Sequence, residues 1–314
     1  MLKLEELSWP ELEALDRGRA VIFVPVSPIE EHGPHLPLGT DMYTCLALAE
    51  AIALRLEEQH PGVNTVLAPP LPLGSGTIPY LGTIRTPPRL VRQVLVRVGR
   101  AFARDGFPVI VAISGHLGLS HILAMEAASR KVSRRYGVRM IAPVASVWRQ
   151  AVQSQELKAA CAALPEPITG PALAALLRGH HGGALETSLM LHVHPELVHP
   201  AFRNLARVRI RHFARWRSWT RERWPGYVGD PAMARADFGH VMLTTIAALG
   251  ADLIARVMAG DALADGEVMP LTGWLERLTL RAGLALGAVG LAGGLASFWL
   301  RVWRQGRRTK GDSA

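Results

Sequence analysis

Carboxylates and imidazoles crowd one short run of this chain, Glu30-Glu31-His32-Gly33-Pro34-His35-Leu36-Pro37-Leu38-Gly39-Thr40-Asp41, directly after the apolar run Ala20–Val26. A buried strand that ends in a Gly/Pro-rich loop of ligand-type side chains is one way to build a metal site. Residues two apart in an extended segment point the same way, so Glu30 and His32 can share one ion while Glu31 is expected to face solvent or an arginine. Carboxylate oxygen with imidazole nitrogen suits zinc, manganese or iron(II) better than a thiolate-loving ion. The same residues can instead serve as a polar loop that caps the next helix through Thr40 or Asp41. Two later clusters carry similar chemistry: Ser114-Gly115-His116-Leu117-Gly118, and His181-Gly182-Gly183-Ala184-Leu185-Glu186-Thr187-Ser188. His116 is either a ligand or a donor to a nearby carbonyl. Glu186 is either a ligand or a first-turn carboxylate that the helix end favours. His35, between Pro34 and Pro37, reads as structural, and His121 and His180 stay unassigned. Ser75 and Ser114 sit in glycine-rich settings and read as backbone accommodations, not nucleophiles.

The elements around these clusters alternate. Strands are expected at Ala20–Val26, Thr65–Ala68, Val109–Ser114 and Arg139–Pro143, all apolar without polar alternation, as buried parallel strands are. Helices are expected at Thr40–Glu58, Pro87–Arg104 and Ser120–Tyr136. Leu90, Val91, Val94, Leu95 and Val98 of the second fit one helical face. The order predicts an α/β three-layer sandwich with a mainly parallel central sheet, whose sites gather beyond the carboxyl ends of the strands. Further helices are expected at Glu186–His194 and Phe238–Met258. Ser8-Trp9-Pro10-Glu11 reads as a helix start, so the chain is expected to open on folded structure with no export signal.

At 314 residues and 49% hydrophobic content the chain can bury a full core, which excludes disorder over most of its length. Its two cysteines, Cys45 and Cys161, lack CxxC spacing and read as core residues of a reducing compartment. The net charge of +9 is uneven, with arginine concentrated between Arg203 and Arg223 and again after Arg301.

The three clusters together resemble the creatininase family of metal-dependent amidohydrolases. That family runs from a strand into E-x-H-G-P-H-L-P-L-G-T-D, then N-G-H-G-G-N, then H-x-G-x-x-E-T-S. The resemblance covers roughly residues 5 to 258, including Gly229-Asp230-Pro231. It implies a creatininase-like fold and a divalent metal cofactor, two ions per subunit of Zn, Mn or Fe. Glu30, His32, Asp41 and His116 would be metal ligands, with Asp41 bridging. Some members supply a glutamate two residues after the middle histidine; Gly118 stands here, which leaves Glu186 as the remaining carboxylate. His181 would be the catalytic residue that transfers a proton. The implied reaction is hydrolysis of a non-peptide C–N bond (amide, cyclic amide or formamide) by metal-activated water. A peptidase for short peptides and an inactive membrane-anchored scaffold are the alternatives.

Departures from the family bear on substrate. The loop Gly74–Thr83 keeps Gly-Thr and loses a Glu-His pair, so the pocket is expected to be less polar. Trp148 and Ser75 are the candidate substrate-binding residues. Leu117 and Leu177 replace aromatics, so creatinine is not expected as substrate. Homo-oligomers, hexamers by resemblance, are expected.

The domain is expected to span 1–260, followed by a linker 261–281, a membrane-inserted helix 282–300 and a basic tail 301–314. The uncharged stretch 282–300 reaches about 28 Å as a helix, near bilayer thickness. The positive-inside rule conflicts with the lack of an export signal; a re-entrant or interfacial helix would reconcile them, and the catalytic domain is expected on the cytoplasmic side. Arg207, Arg211, Arg215, Trp216, Trp219 and Trp224 suit an anionic headgroup layer. Nucleic acid is a rival partner for that segment and is not expected; an oligomer interface is a third use.

Overall fold

Six consecutive buried residues, Ala20–Pro25, form the central strand β2 of the computed structural model, which describes residues 1–178, 181–209 and 224–261. A strand buried on both faces needs helices above and below, and the sequence supplies them in alternation. The other strands are β1 (Leu2–Lys3), β3 (Asn64–Leu67), β4 (Val109–Ile113) and β5 (Arg139–Ile141). They form one five-stranded sheet in the order β1-β3-β2-β4-β5, parallel at every pairing. Ile22 lies opposite Val66 on one side and Ile110 on the other, which puts three branched aliphatics in register across the core. The edge strand β1 has no apolar run of its own and was not legible as a strand.

Helices α1 (Trp9–Ala14), α2 (Thr40–Gln59), α3 (Pro88–Arg104) and α4 (Leu119–Tyr136) follow the expected pattern within a residue or two. The middle of the chain folds into α5 (Val144–Gln153), α6 (Gln155–Ala162), α7 (Gly170–Leu176) and α8 (Ala184–Val193), and the domain closes with α9 (Ala236–Ala259). α3 packs on α4 as one layer, while α2, α8 and α9 pack together as another, with α5 and α6 against α9. The α8–α9 contact is unusually close. A Cβ at Gly239 would sit 2.0 Å from the carbonyl oxygen of Ser188, so only glycine allows the two backbones to meet there. Cys45 and Cys161 are both free and buried.

Topology fixes where a site can form. β2 leads through α2 to β3 on one side of it, whereas β4 leads through α4 to β5 on the other. Neighbouring strands that send their connections apart open a crevice at their carboxyl ends. The Glu30–Asp41 loop follows β2 and Ser114-Gly115-His116 follows β4, so both reach that crevice.

α9 is long and apolar enough to cross a membrane by composition, yet just over half of its most apolar window, 56%, is buried inside the domain. Phe238, Met242, Ile246 and Ile254 of this helix are core residues, so its apolarity is explained by packing. The linker (apart from Asp261), the apolar stretch 282–300, the basic tail and Arg211, Arg215, Trp216 and Trp219 lie outside the described residues. Trp224 does not face outward as its assignment to a headgroup layer required. It is 4% exposed, donates from Nε1 to the Tyr227 carbonyl (3.2 Å) and meets the His181 ring at 6.0 Å between centroids.

Candidate metal centre

Asp41 enters the crevice from the first turn of α2, where a carboxylate is favoured by the helix end. Its two oxygens face two different histidines. Oδ1 lies 3.4 Å from His32 Nε2 and Oδ2 lies 3.2 Å from His116 Nδ1. Glu30 Oε2 stands 3.3 Å from the same His116 nitrogen, and Glu186 Oε2 stands 3.6 Å from the same His32 nitrogen. Two ligand groups result, Glu30/Asp41/His116 and His32/Asp41/Glu186, with Asp41 common to both; Glu30, His32 and His181 form a third such grouping.

The tautomers suit ligation. His32 Nδ1 lies 3.0 Å from the Glu30 carbonyl and His116 Nε2 lies 3.1 Å from the Ser75 carbonyl. A carbonyl can only accept, so each of these nitrogens carries a proton and the opposite nitrogen is the one that faces the carboxylates, where it can give its lone pair to a cation shared with them once its own proton is displaced. Glu30 is held from behind, where its Oε1 accepts from Ile78 N at 2.5 Å. Glu30 Oε2, His32 Nε2 and Asp41 Oδ2 are buried without a hydrogen-bond partner. Buried polar atoms left in this state, converging from opposite charges, fit a cation.

Charge inside the cluster is strongly coupled. Burial pushes the Asp41 carboxyl up, but His32 and His116 overcome it and hold the group well below the usual carboxylate range. Burial works against the charged form of His116, and Asp41 then raises it to about 9. His32 likewise is driven down by burial and, more strongly, up by Asp41 and Glu186, ending well above an ordinary histidine. Glu30 is raised, chiefly by burial. Protons on the imidazoles thus supply the positive charge that this carboxylate cluster demands.

Glu31 is a correction to the expectation from alternation. It is 4% exposed, and its ion-pair partner among the described residues is a histidine and not an arginine. Its Oε1 lies 3.4 Å from His181 Nε2, and its backbone carbonyl accepts from that nitrogen at 2.7 Å. The loop turns at Gly33 (φ +81°), where Gly33 N donates to Glu31 Oε2 (3.1 Å). That turn swings the odd-numbered carboxylate inward. His181 also stacks on His32, ring centroids 4.3 Å apart. Glu186 both caps and converges, since its Oε2 accepts from Gly182 N (2.6 Å) while facing His32. Gly118 leaves no room for another ligand. A Cβ there would lie 2.2 Å from His116 Nε2 and 2.9 Å from the Ser75 carbonyl.

A cleft of about 1100 Å³ opens above the cluster, with Glu30, Asp41, His116, His181 and Glu186 in its lining. Trp148, Leu117 and Leu177 line it too, together with Ile78 and Leu119. Ser75 does not line the cleft. It is buried and meets Ser120 Oγ at 3.3 Å, so its contribution is the carbonyl that orients His116. His35 is structural, as expected, bonded through Nε2 to Thr187 Oγ1 (2.9 Å). His121 joins a buried network, its Nε2 3.2 Å from both Ser114 Oγ and the Val26 carbonyl. His180 lies outside the described residues. Trp224 and Glu31 were missed as neighbours of His181. The close backbone pairing Val228 N to His181 O (2.6 Å) brings the Trp224 segment there, and nothing local in the sequence encodes it.

The family model for creatininase, creatinine amidohydrolase, matches residues 5–254. A mycofactocin precursor peptide peptidase from Mycobacterium ulcerans (strain Agy99) is 32% identical over 183 residues, 56% of this chain and 60% of that protein. The chain thus spans less than two thirds of that peptidase. A creatinine amidohydrolase from Pseudomonas putida is 28% identical over 62% of this chain and 72% of its own length. A manganese form of creatininase shares the fold with a TM-score of 0.60, 22% identity, and coverage of 82% of this chain and 98% of that one. With the family match spanning β2 to β5 and all three ligand clusters, the chain belongs to the creatininase family, whose members hydrolyse carbon–nitrogen bonds.

Proposed function

We propose that this chain is a divalent-metal-dependent amidohydrolase whose substrate carries a bulky apolar group, a formamide, other amide or short peptide. The observation that carries the reading is the pair of ligand groups joined at Asp41 on the floor of a roomy, largely apolar cleft. A divalent ion at such a site makes hydroxide available near neutral pH and polarises a carbonyl. Glu30, Asp41 and His116 would hold one ion, and His32, Asp41 and Glu186 a second, of zinc, manganese or iron. His181 would give the proton to the leaving nitrogen. Its Nε2 is held by the Glu31 carbonyl, which leaves Nδ1 for exchange with substrate, and the Glu31 carboxylate stands beside any charge the ring acquires. Trp148, Leu117 and Leu177 would bind the apolar part of the substrate. One relative acts on a precursor peptide and another on creatinine. A cleft of about 1100 Å³ with leucine walls favours the larger and less polar class.

Membrane attachment through 282–300, with the catalytic domain cytoplasmic, and homo-oligomeric assembly belong to the same proposal; the uncharged stretch and the arginines after it support attachment. The protein should stay in the pellet after an alkaline carbonate wash, and release into the supernatant would contradict a spanning helix.

Metal-loaded protein should hydrolyse members of a panel of formamides, cyclic amides and short apolar peptides, and a chelator should abolish turnover. His181→Ala should lower kcat by roughly 10²–10⁴-fold with metal content retained; turnover equal to the parent in that variant would remove the proton-transfer role.

The metal-free protein should also show a diagnostic pH dependence. His32 and His116 are both raised on folding, so their stabilisation is complete below about pH 6.5; the His116 part is lost as pH rises through about 9, and the His32 part is likewise lost well above the ordinary histidine range. The melting temperature without metal should therefore fall across that window, while that of the metal-loaded protein should hold. Parallel curves with and without metal would contradict this charge assignment.

A further inference from the structure

We propose that His192 and His240 form a separate bis-histidine site for a transition-metal ion of the copper, nickel or zinc class, on the exposed side of α8 and α9. His192 Nε2 and His240 Nδ1 face each other at 3.3 Å, with the rings in a T-shaped arrangement at 4.8 Å between centroids. At that distance one ring can donate a weak N–H···N hydrogen bond to the other in the metal-free protein, which keeps the two nitrogens facing each other. Two nitrogens each about 2.0–2.1 Å from one tetrahedral ion such as zinc stand roughly 3.3–3.4 Å apart, an edge the observed spacing matches, whereas tetragonal copper(II) draws the pair slightly closer, to about 2.9 Å.

The spacing is set by the fold and not by loose surface rotamers alone. Gly239, adjacent to His240, touches the Ser188 carbonyl, one turn before His192, so the two helix backbones are locked at this point. Ser188 Oγ accepts from Arg235 N (3.0 Å) and donates to the Ala184 carbonyl (2.6 Å), which ties the start of α9 to α8. His192 is half-buried and His240 exposed, so an ion would meet two fixed nitrogens on one side and water on the other. Burial, then the neighbouring His240, lowers the pKa of His192 and keeps its lone pair free at neutral pH.

Among the described residues the donor set is imidazole alone. Asp237, one turn before His240, is engaged by Arg235 through both carboxylate oxygens. Imidazole pairs without a carboxylate discriminate against magnesium, calcium and manganese and favour copper(II) above nickel and zinc. This distinguishes the pair from the Asp41 centre, where carboxylates dominate. Along α8, His192 lies six positions after Glu186, about 9 Å of helix axis.

The test uses full-length protein, first loaded with zinc and then titrated with copper(II) at pH 7 under electron paramagnetic resonance. The expected result is a copper signal coupled to two imidazole nitrogens that is lost in His192→Asn and in His240→Ala, with melting temperatures unchanged. His240 is exposed, so its variant folds even if the half-buried His192 is less tolerant. The same nitrogen-coupled signal in the parent and in His240→Ala would overturn the proposal, as would copper uptake by the parent no greater than by the variant. Neither outcome depends on hydrolysis, so failure here leaves the Asp41 centre untouched.

Discussion

Asp41 is the residue on which the rest of this molecule is arranged. A fully buried carboxylate between two buried imidazoles is tolerable only because each oxygen faces a cation, at 3.4 Å and 3.2 Å. Removing either partner would leave an uncompensated charge inside the protein, an expensive state. Glu30 and Glu186 add negative charge from either side, so the cluster demands more positive charge than neutral imidazoles provide. Protons meet that demand in the metal-free protein, and divalent ions meet it better.

The fold answers this demand by convergence. β2 and β4 lie side by side and parallel, so the loops that leave them deliver Glu30, His32 and His116 to one crevice. α2 begins at that crevice and presents Asp41 from its first turn, while α8 presents Glu186 from its own first turn. Carbonyls of Glu30 and Ser75 then fix which nitrogen of His32 and His116 points inward. Backbone therefore chooses the tautomers, and the choice does not depend on mobile side chains. Above the cluster the walls are mainly leucine, isoleucine and tryptophan, with Arg85, Arg149, Thr77 and Ser120 among them, so the cleft is largely but not wholly apolar above its polar floor.

Much of this is legible in the amino-acid sequence alone. Apolar runs without alternation marked β2 to β5, and helical periodicity marked α2 to α4, because buried strands and half-buried helices leave those traces in composition. Ligand-type residues within one loop also announced themselves. Glu31 did not, because strict alternation assumes an extended backbone and Gly33 turns the chain at once. Trp224 was read with its arginine-rich neighbours, yet pairing of Val228 with His181 carries it to the cleft. Ser75 is a substrate-binding candidate from the sequence, and the structure shows its carbonyl against His116 and its residue outside the cleft lining. His192 and His240 stand far apart in sequence and meet only because Gly239 lets two helices touch. Each of these depends on a contact between distant segments, which local pattern does not encode.

The central claim is a dinuclear centre held together by Asp41, and metal stoichiometry tests it most directly. Native mass spectrometry of the zinc- or manganese-reconstituted His192→Asn/His240→Ala background, which excludes the surface pair, should find two ions per chain with intact Asp41. Asp41→Asn in that background should lose both, since the shared carboxylate serves each ligand group. A parent that binds no ion or only one, or an Asp41→Asn variant that keeps two, would contradict the account.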